Sequence, residues 1–510
     1  MRSGQMPYYV TTPIYYVNDA PHIGHAYTTL ACDVLARFMR LDGEEVFFLT
    51  GTDEHGQKVE KAANAAGIDP QAFTDRVSQN FRDLAVAMNF SNDDFIRTTE
   101  PRHVTAVQAL WQRLIDAGDI YLGSYSGWYS VRDEAYYAES ELVNGKAPTG
   151  ADVEWVEEPS YFFKLSKWQE PLLKFYEDNP GFIAPQSRRN EMISFVKGGL
   201  IDLSVSRTTF NWGVPVPNDP AHVMYVWIDA LTNYITAAGF PDTDSETYRK
   251  FWPADLHMVG KDIIRFHTVF WPAFLMAAGL EPPKRVFAHG WWTNEGQKIS
   301  KSLGNVIDPL KLIEQYGLDQ VRYFLLREVP FGNDGDFSHA AMVHRMNGDL
   351  ANDLGNLAQR VLSMVHKNCD GAVPAHGDFT EADEALLGAA RALHGSVRQN
   401  FLAQTFHSAL TDIWAVIGQG NRYVDEQAPW ALKKSDPARM GTVLYTLADV
   451  IRRIAILVQP IMPDSAARLL DQMQVPADAR DFAHLEAPLT PGQAVPKPQG
   501  VFPRFVEEEA

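Results

Sequence analysis

Residues 7–17 read PYYVTTPIYYV, an aromatic and β-branched run suited to a buried strand. From Ala26 to Leu41 the apolar residues Leu30, Val34, Leu35, Phe38 and Met39 recur at helical spacing, and Gly43 closes that helix. EVFFLTGTD (45–53) then reads as a second buried strand. Strand, helix and strand in this order constrain the fold more than any other feature. Parallel neighbours need a crossover, and a βαβ opening implies a doubly wound parallel sheet of Rossmann type. Helical stretches follow around 57–66, 70–88 and 101–117.

Residues 119–215 break this rhythm. The stretch YLGSYSGWYSVRDEAYYAESELV is short-stranded and rich in Gly, Ser and Tyr, as an inserted α+β subdomain would be. HVMYVWIDALTNYITAAG and the segments after it resume strand, turn and helix, so the sheet is expected to be split. From Asp319 onward the pattern is helical almost throughout. Runs such as 384–417 and 438–459 suit an all-α helix bundle, with AVPAHGDFT (372–380) as a loop and 485–500 as an extended, Pro- and Gly-rich tail. The expected division is 1–118 and 216–345 for the two halves of the sheet domain, 119–215 for the insertion and 346–510 for the bundle. A chain of 510 residues exceeds what one core serves, which fits two to four domains.

No apolar run approaches the roughly 18 residues of a membrane span, and no apolar stretch of signal-peptide kind follows Arg2. Cys32 and Cys369 form no C-x-x-C, which excludes a disulfide framework and a cysteine-rich zinc site and suits a reducing, cytoplasmic setting. The net charge of −19 argues against DNA and, taken alone, against any nucleic acid. Residues 346–468, however, carry 11 Lys/Arg against 13 Asp/Glu, close to neutral, so a local RNA surface stays open.

NDAPHIGHAYTTL (18–30) places His22 and His25 at the start of a predicted helix, where N–H groups and the helix dipole favour an anion. Gly24 permits close backbone approach. The two histidines could also simply cap the helix. A metal would need further ligands, and neither a cysteine cluster nor HExxH is present. GQKISKSLGN (296–305) sets Lys298 and Lys301 on a Gly/Ser loop that is no Walker A motif. Two ammonium groups there could neutralise a departing polyphosphate; a solvated basic loop is the plainer alternative.

Together, HIGH and KISKS on the two halves of a split sheet resemble the signature of class I aminoacyl-tRNA synthetases, and within that family the methionyl branch. The resemblance runs through TPIYYVNDAPHIGH (12–25), GTDEHG (51–56), YVWIDALTNY (225–234), VGKDIIRFHTVFWPAFL (259–275), HGWWTNEGQKISKSLGN (289–305), DLGNLAQR (353–360) and NRYVDEQAPWALKK (421–434). It implies a catalytic domain split by a connective insertion and followed by an anticodon-binding bundle. The implied activity is ATP-dependent activation of L-methionine with release of pyrophosphate, then transfer to the 3′-terminal adenosine of tRNA(Met), initiator and elongator, with the 2′-hydroxyl as acceptor. Leucine or isoleucine specificity is disfavoured by the short insertion and by YVWIDALTNY. An inactive RNA-binding relative is disfavoured by intact HIGH and KISKS.

By the same resemblance, His22, His25, Lys298 and Lys301 are catalytic. ATP meets His22, His25, Lys298 and Lys301 at its phosphates, Gly260 and Asp262 at the ribose, and His289 and Gly290 at the adenine, which Gly24 lets lie close to the backbone. Mg²⁺ arrives with ATP rather than in a protein cage. Methionine falls to Pro13, Ile14, Tyr16, Asp53, Trp227, Ala230, Tyr234, Ile263, His267 and Trp271, where a polarizable thioether suits aromatic edges and Asp53 suits the ammonium. Asn356 and Arg360, one helical turn apart, read anticodon bases with Pro429 and Trp430. One departure stands out. Where many relatives carry C-x-x-C pairs in the insertion, this sequence has Ser130 and Asp133 and then KAPTG (146–150). A zinc-free insertion held by apolar packing is therefore expected. With no C-terminal dimerisation module in sight, a monomer is expected.

Overall fold

In the computed structural model, β1 (Pro7–Tyr16), α1 (Ile23–Leu41) and β2 (Glu45–Asp53) form where the opening pattern predicts them. The structure describes residues 5–18 and 20–507, with Val226 described by its backbone alone; Arg2, Asp19, Glu508 and Glu509 lie outside. Two compact units divide the chain. One holds residues 7–21 and 46–289, the other 1–6, 22–45 and 290–510.

The first unit is built on a six-stranded sheet in the order β3 (Asp94–Arg97), β2, β1, Leu256–Gly260, Val286–His289, Ile183–Ala184. β1 runs parallel to Leu256–Gly260, which runs parallel to Val286–His289, as does β2 to β3. Strand order reverses beside β1. In an open α/β sheet that switch point, at the carboxyl ends of the strands, is where ligands bind. Ile183–Ala184 adds an edge strand from inside the stretch read as an insertion, because two residues are too short to show a strand period.

The stretch 119–215 combines an antiparallel sheet with the helices Gln169–Asp178 and Gln186–Lys197. Ile120–Ser130 and Glu154–Phe163 pair from Ile120↔Phe163 to Tyr129↔Glu154, with Ala135–Tyr137 and Leu203–Ser204 outside them. Apolar packing is only part of what holds it. Trp128 and Trp155 meet edge to face at 5.3 Å. At the turn, Ser130 Oγ accepts from the Asp133 N–H (3.1 Å), and the Asp133 carboxylate accepts from Tyr137 (2.9 Å), Arg132 (3.1 Å) and the Thr149 hydroxyl. Hydrogen bonds thus tie the turn at Ser130 and Asp133.

The second unit contains the long helices Glu381–Leu402, Phe406–Gln427 and Pro437–Val458. The run 384–417 is thus not one helix: it turns at Gln404, which takes a left-handed backbone. From Met440 to Val458 every residue is buried, Asp449 included, whose carboxylate is held by Arg452 (2.8 Å) and Arg453 (3.0 Å). α1 belongs to this unit. Phe38 stacks on Phe401 at 4.4 Å and touches Phe482 at 4.8 Å, and Asp42 pairs with Arg398 at 2.9 Å. The expected extended tail packs as well: Val373 N–H donates to the Gln493 carbonyl (2.8 Å), and Phe505 lies 5.6 Å from the ring of Tyr316.

One interaction ties α1 to the bundle more firmly than the rest. The fully buried Arg322 guanidinium donates to Asp33 (2.7 Å) and to the carbonyls of Pro460 (2.9 Å) and Ile461 (2.8 Å). Asp33→Ala removes the carboxylate hydrogen-bonded to that buried cation. The expected loss, read by urea unfolding, is about 3–5 kcal/mol; unchanged stability would show that the carbonyls suffice.

Candidate active site

At the first turn of α1 the backbone needs acceptors, and the two histidines supply them. His22 Nδ1 accepts from the Gly24 N–H and His25 Nδ1 from the His22 N–H, each at 3.0 Å, with the rings 3.9 Å apart. The capping alternative therefore holds, and it does not compete with phosphate binding. A cap through Nδ1 puts the ring proton on Nε2 of each histidine, which makes both Nε2–H groups donors. Packing around His25 and the neighbouring His22 push its pKa well below the ordinary histidine range, so the ring stays neutral. Gly24 is required here: a Cβ would lie 2.9 Å from His22 Cε1.

The lysine loop lies in the same unit. Gln297–Lys298 pairs with Trp292–Asn294, and Asn305 clasps the loop. Its side chain accepts from the Ser300 N–H (2.8 Å) and donates to the Lys298 carbonyl (3.0 Å), while its own carbonyl accepts from Asn294 (2.9 Å). Lys298 and Lys301 are exposed. Two residues beyond the clasp, the Ile307 carbonyl accepts from the Ile23 N–H at 3.1 Å, which joins the loop's end to the start of α1. Gly290 packs so closely on the backbone of Asn333 that a Cβ would clash at 2.4 Å, and the next N–H, of Trp291, donates to Asp334 (2.8 Å).

In the other unit, the residues expected to meet methionine gather at the switch point. Pro13, Ile14 and Tyr16 end β1 and Asp53 ends β2. Asp53 is 6% exposed, and its Oδ1 has no hydrogen-bond partner among the described residues. Burial, then the charges of Asp229, Glu134 and Glu54, raise its pKa well above the carboxylate range. Asp229 itself is balanced by His55 (2.6 Å) and His103 (2.9 Å) and falls to about 2 despite its burial.

Aromatic groups line the same region. Trp227 stacks on Phe266 at 3.6 Å. Tyr234 donates to His267 Nε2 (2.7 Å), while His267 Nδ1 donates to the Ile263 carbonyl (2.9 Å), so His267 is neutral and burial lowers it to about 4. Trp271 is fully buried and donates to His257 Nε2 (3.2 Å), which leaves Nδ1–H of His257 for Thr11 (2.7 Å). Ala230 is buried on the same short helix as Trp227. Gly260 and His289 are register partners on neighbouring strands, and Asp262 Oδ1 crowds the Gly260 Cα, so the three expected nucleoside contacts in this unit lie together.

The expected anticodon residues also converge. Asn356 is exposed at the start of its helix. Arg360 pairs with Asp425 (2.8 Å) and holds its guanidinium 5.8 Å from the ring of Trp430, which is 51% exposed. Pro429 is buried at the first turn of its helix, where it directs Trp430 rather than presenting a face. Sequence reasoning missed His55, His103, Asp229, Glu134, His257 and Asn305. Several sit inside the quoted blocks, but the partners of the six lie up to 246 residues away. Among the described residues no three His, Cys, Asp or Glu side chains are grouped to hold a metal, and no helix is long and apolar enough to cross a membrane.

A family model described as tRNA synthetases class I (M) matches residues 8–154 and 139–362, and one described as the anticodon binding domain of methionyl tRNA ligase matches 373–510. The methionine–tRNA ligase of Mesorhizobium japonicum is 61% identical over 508 residues, 98% of either chain. That of Rhizobium meliloti is 59% identical over 511 residues, 99% of either chain. Mycobacterium tuberculosis methionyl-tRNA synthetase, solved in complex with methionyl-adenylate, matches with a TM-score of 0.96 and 58% identity, covering 98% of this chain and 100% of that one. Over nearly its whole length the chain matches one family, and it belongs to the methionyl-tRNA synthetases, class I aminoacyl-tRNA ligases.

Proposed function

We propose that two sets of side chains divide one reaction between them. The chain activates L-methionine with ATP and charges tRNA with it. A methionine carboxylate oxygen attacks the α-phosphorus, the bond to the bridging oxygen breaks, and pyrophosphate leaves. A ribose hydroxyl of the tRNA terminal adenosine then attacks the carbonyl carbon and releases AMP. Charge builds on the equatorial phosphate oxygens during the first step, so fixed donors and cations lower its barrier.

In this division His22 and His25 donate from Nε2 to the α-phosphate, and Lys298 and Lys301 neutralise the departing pyrophosphate. Gly24 and Gly290 allow close approach of the nucleotide, and Gly260, Asp262 and His289 hold its ribose and adenine. Mg²⁺ enters as part of the ATP complex. Asp53 takes the ammonium. Trp227, Tyr234, His267 and Trp271, with Pro13, Ile14, Tyr16, Ala230 and Ile263, surround the thioether. The observation that carries the proposal is the neutral pair of histidines on α1, joined by Ile23 to the end of the lysine loop. Sparse cysteine usage, with Cys32 buried and Cys369 half-buried, supports a reducing, cytoplasmic setting. We take the working form to be a monomer that charges both initiator and elongator tRNA(Met).

Methionine-dependent exchange of pyrophosphate into ATP tests the assignment; stronger exchange with leucine would overturn it. Trp430→Ala separates the two ends of the reaction. Losing one stacking platform lowers aminoacylation kcat/KM for tRNA by about 10- to 100-fold, while pyrophosphate exchange holds. Parallel loss of both activities would remove Trp430 from anticodon recognition.

A further inference from the structure

Three carboxylates surround Asp53, and two of them have basic partners in place. Glu54 accepts from the Arg97 guanidinium at 2.7 and 2.8 Å, and Asp229 lies between His55 and His103. Glu134 is different. It comes from the inserted subdomain, on a left-handed turn next to the strand Ala135–Tyr137, and is only 8% exposed. Among the described residues it makes no ion pair. Its carboxylate oxygen instead accepts the hydroxyl of Tyr16, and that hydroxyl also lies 3.0 Å from the His55 carbonyl. A phenol has one hydrogen, so it cannot serve both acceptors at once.

We propose that Glu134 is a positioning residue of the methionine site: by claiming the Tyr16 hydroxyl it sets one wall of the pocket, and its charge joins that of Asp53 in drawing the α-ammonium. This rests on the placement of the ammonium at Asp53. The groups that face Glu134 are Tyr16 from β1, Lys58 from the helix Gln57–Ala65, Arg207, Tyr129, Tyr225 and Asp53 itself. Neither Lys58 nor Arg207 makes an ion pair with it. Burial holds its carboxyl up to about 7, so it titrates near neutrality. When it is protonated, the Tyr16 hydrogen is released to the His55 carbonyl and the second negative charge disappears.

The test is a double-mutant cycle on Glu134→Gln and Tyr16→Phe, read by methionine KM in pyrophosphate exchange across pH. Each single change is expected to raise methionine KM about tenfold at neutral pH, the size of one buried hydrogen bond to a charged group, with kcat and ATP KM altered much less. The double variant should rise no further than Glu134→Gln alone. Glu134→Gln should also move the acid limb of the methionine KM profile to lower pH, because Asp53 loses a like-charged neighbour. Unchanged methionine KM in Glu134→Gln, multiplied effects in the double variant, or an unmoved acid limb would overturn the proposal. A purely structural Glu134 would lower the active fraction without touching methionine KM. Asp53→Asn is the separate control: if it spared methionine KM, the ammonium placement would fall, while the Tyr16 link would still be decided by the cycle.

Discussion

Replacing Lys301 with alanine slows adenylate formation by about 10²- to 10³-fold and leaves methionine affinity near its original value. Lys301 is exposed on a loop that the Asn305 side chain clasps. Removing the ammonium therefore deletes a charge and spares the scaffold. Pyrophosphate gains negative charge at its bridging oxygen as it leaves, so the lost contact is one that strengthens in the transition state. Single-turnover adenylate formation reads the chemical step, and tryptophan fluorescence reads methionine binding. Equal loss in both would mean that the substitution had disturbed the fold.

Asp53→Asn raises methionine KM by about 10²- to 10³-fold, because the ammonium then enters a buried site with no opposite charge. The pH dependence follows from the same burial. Asp53 is raised in the folded protein, first by desolvation and then by its acidic neighbours. Its ionised form therefore opposes folding. The stability it contributes is full below the unfolded pKa and is lost as pH rises through the folded one. A bound ammonium reverses this by pairing the carboxylate. Methionine should thus raise the melting temperature more at neutral pH than under acid conditions, with the gain fading before the ordinary carboxylate range is reached. A gain independent of pH, or one that grew towards acid, would place the ammonium elsewhere.

Much of this architecture could be read from the sequence, because burial leaves a period. The strand 7–16 and the strand 45–53 bury most of their side chains, and their apolar runs say so. His22 and His25 could be placed at a helix start, and the helix does begin there. What stayed hidden has physical reasons. Ile183–Ala184 is too short for any period. The turn at Gln404 interrupts an apolar pattern that continues on both sides of it, since both helices face the same core. The tail 485–507 has a loop's composition yet packs, because Val495 and Phe502 find cover that no local rule foretells. Glu134 reads as one acid among many until the chain folds Tyr16 against it. Local periodicity records that a face is covered and is silent about what covers it.

The place of α1 has a consequence for how this molecule can be taken apart. Along the sequence, a cut near residue 345 would seem to release a catalytic half from a tRNA-reading half. In three dimensions that cut would strip Phe38 of Phe401 and Phe482, Asp42 of Arg398, and Arg322 of the Pro460 and Ile461 carbonyls. The helix that presents the two histidines would lose its inner face. A fragment ending there would keep its parallel sheet but lose the support under His22 and His25. Module swaps between relatives should therefore exchange residues 22–45 together with the bundle, as one inheritance written in two distant stretches of the gene.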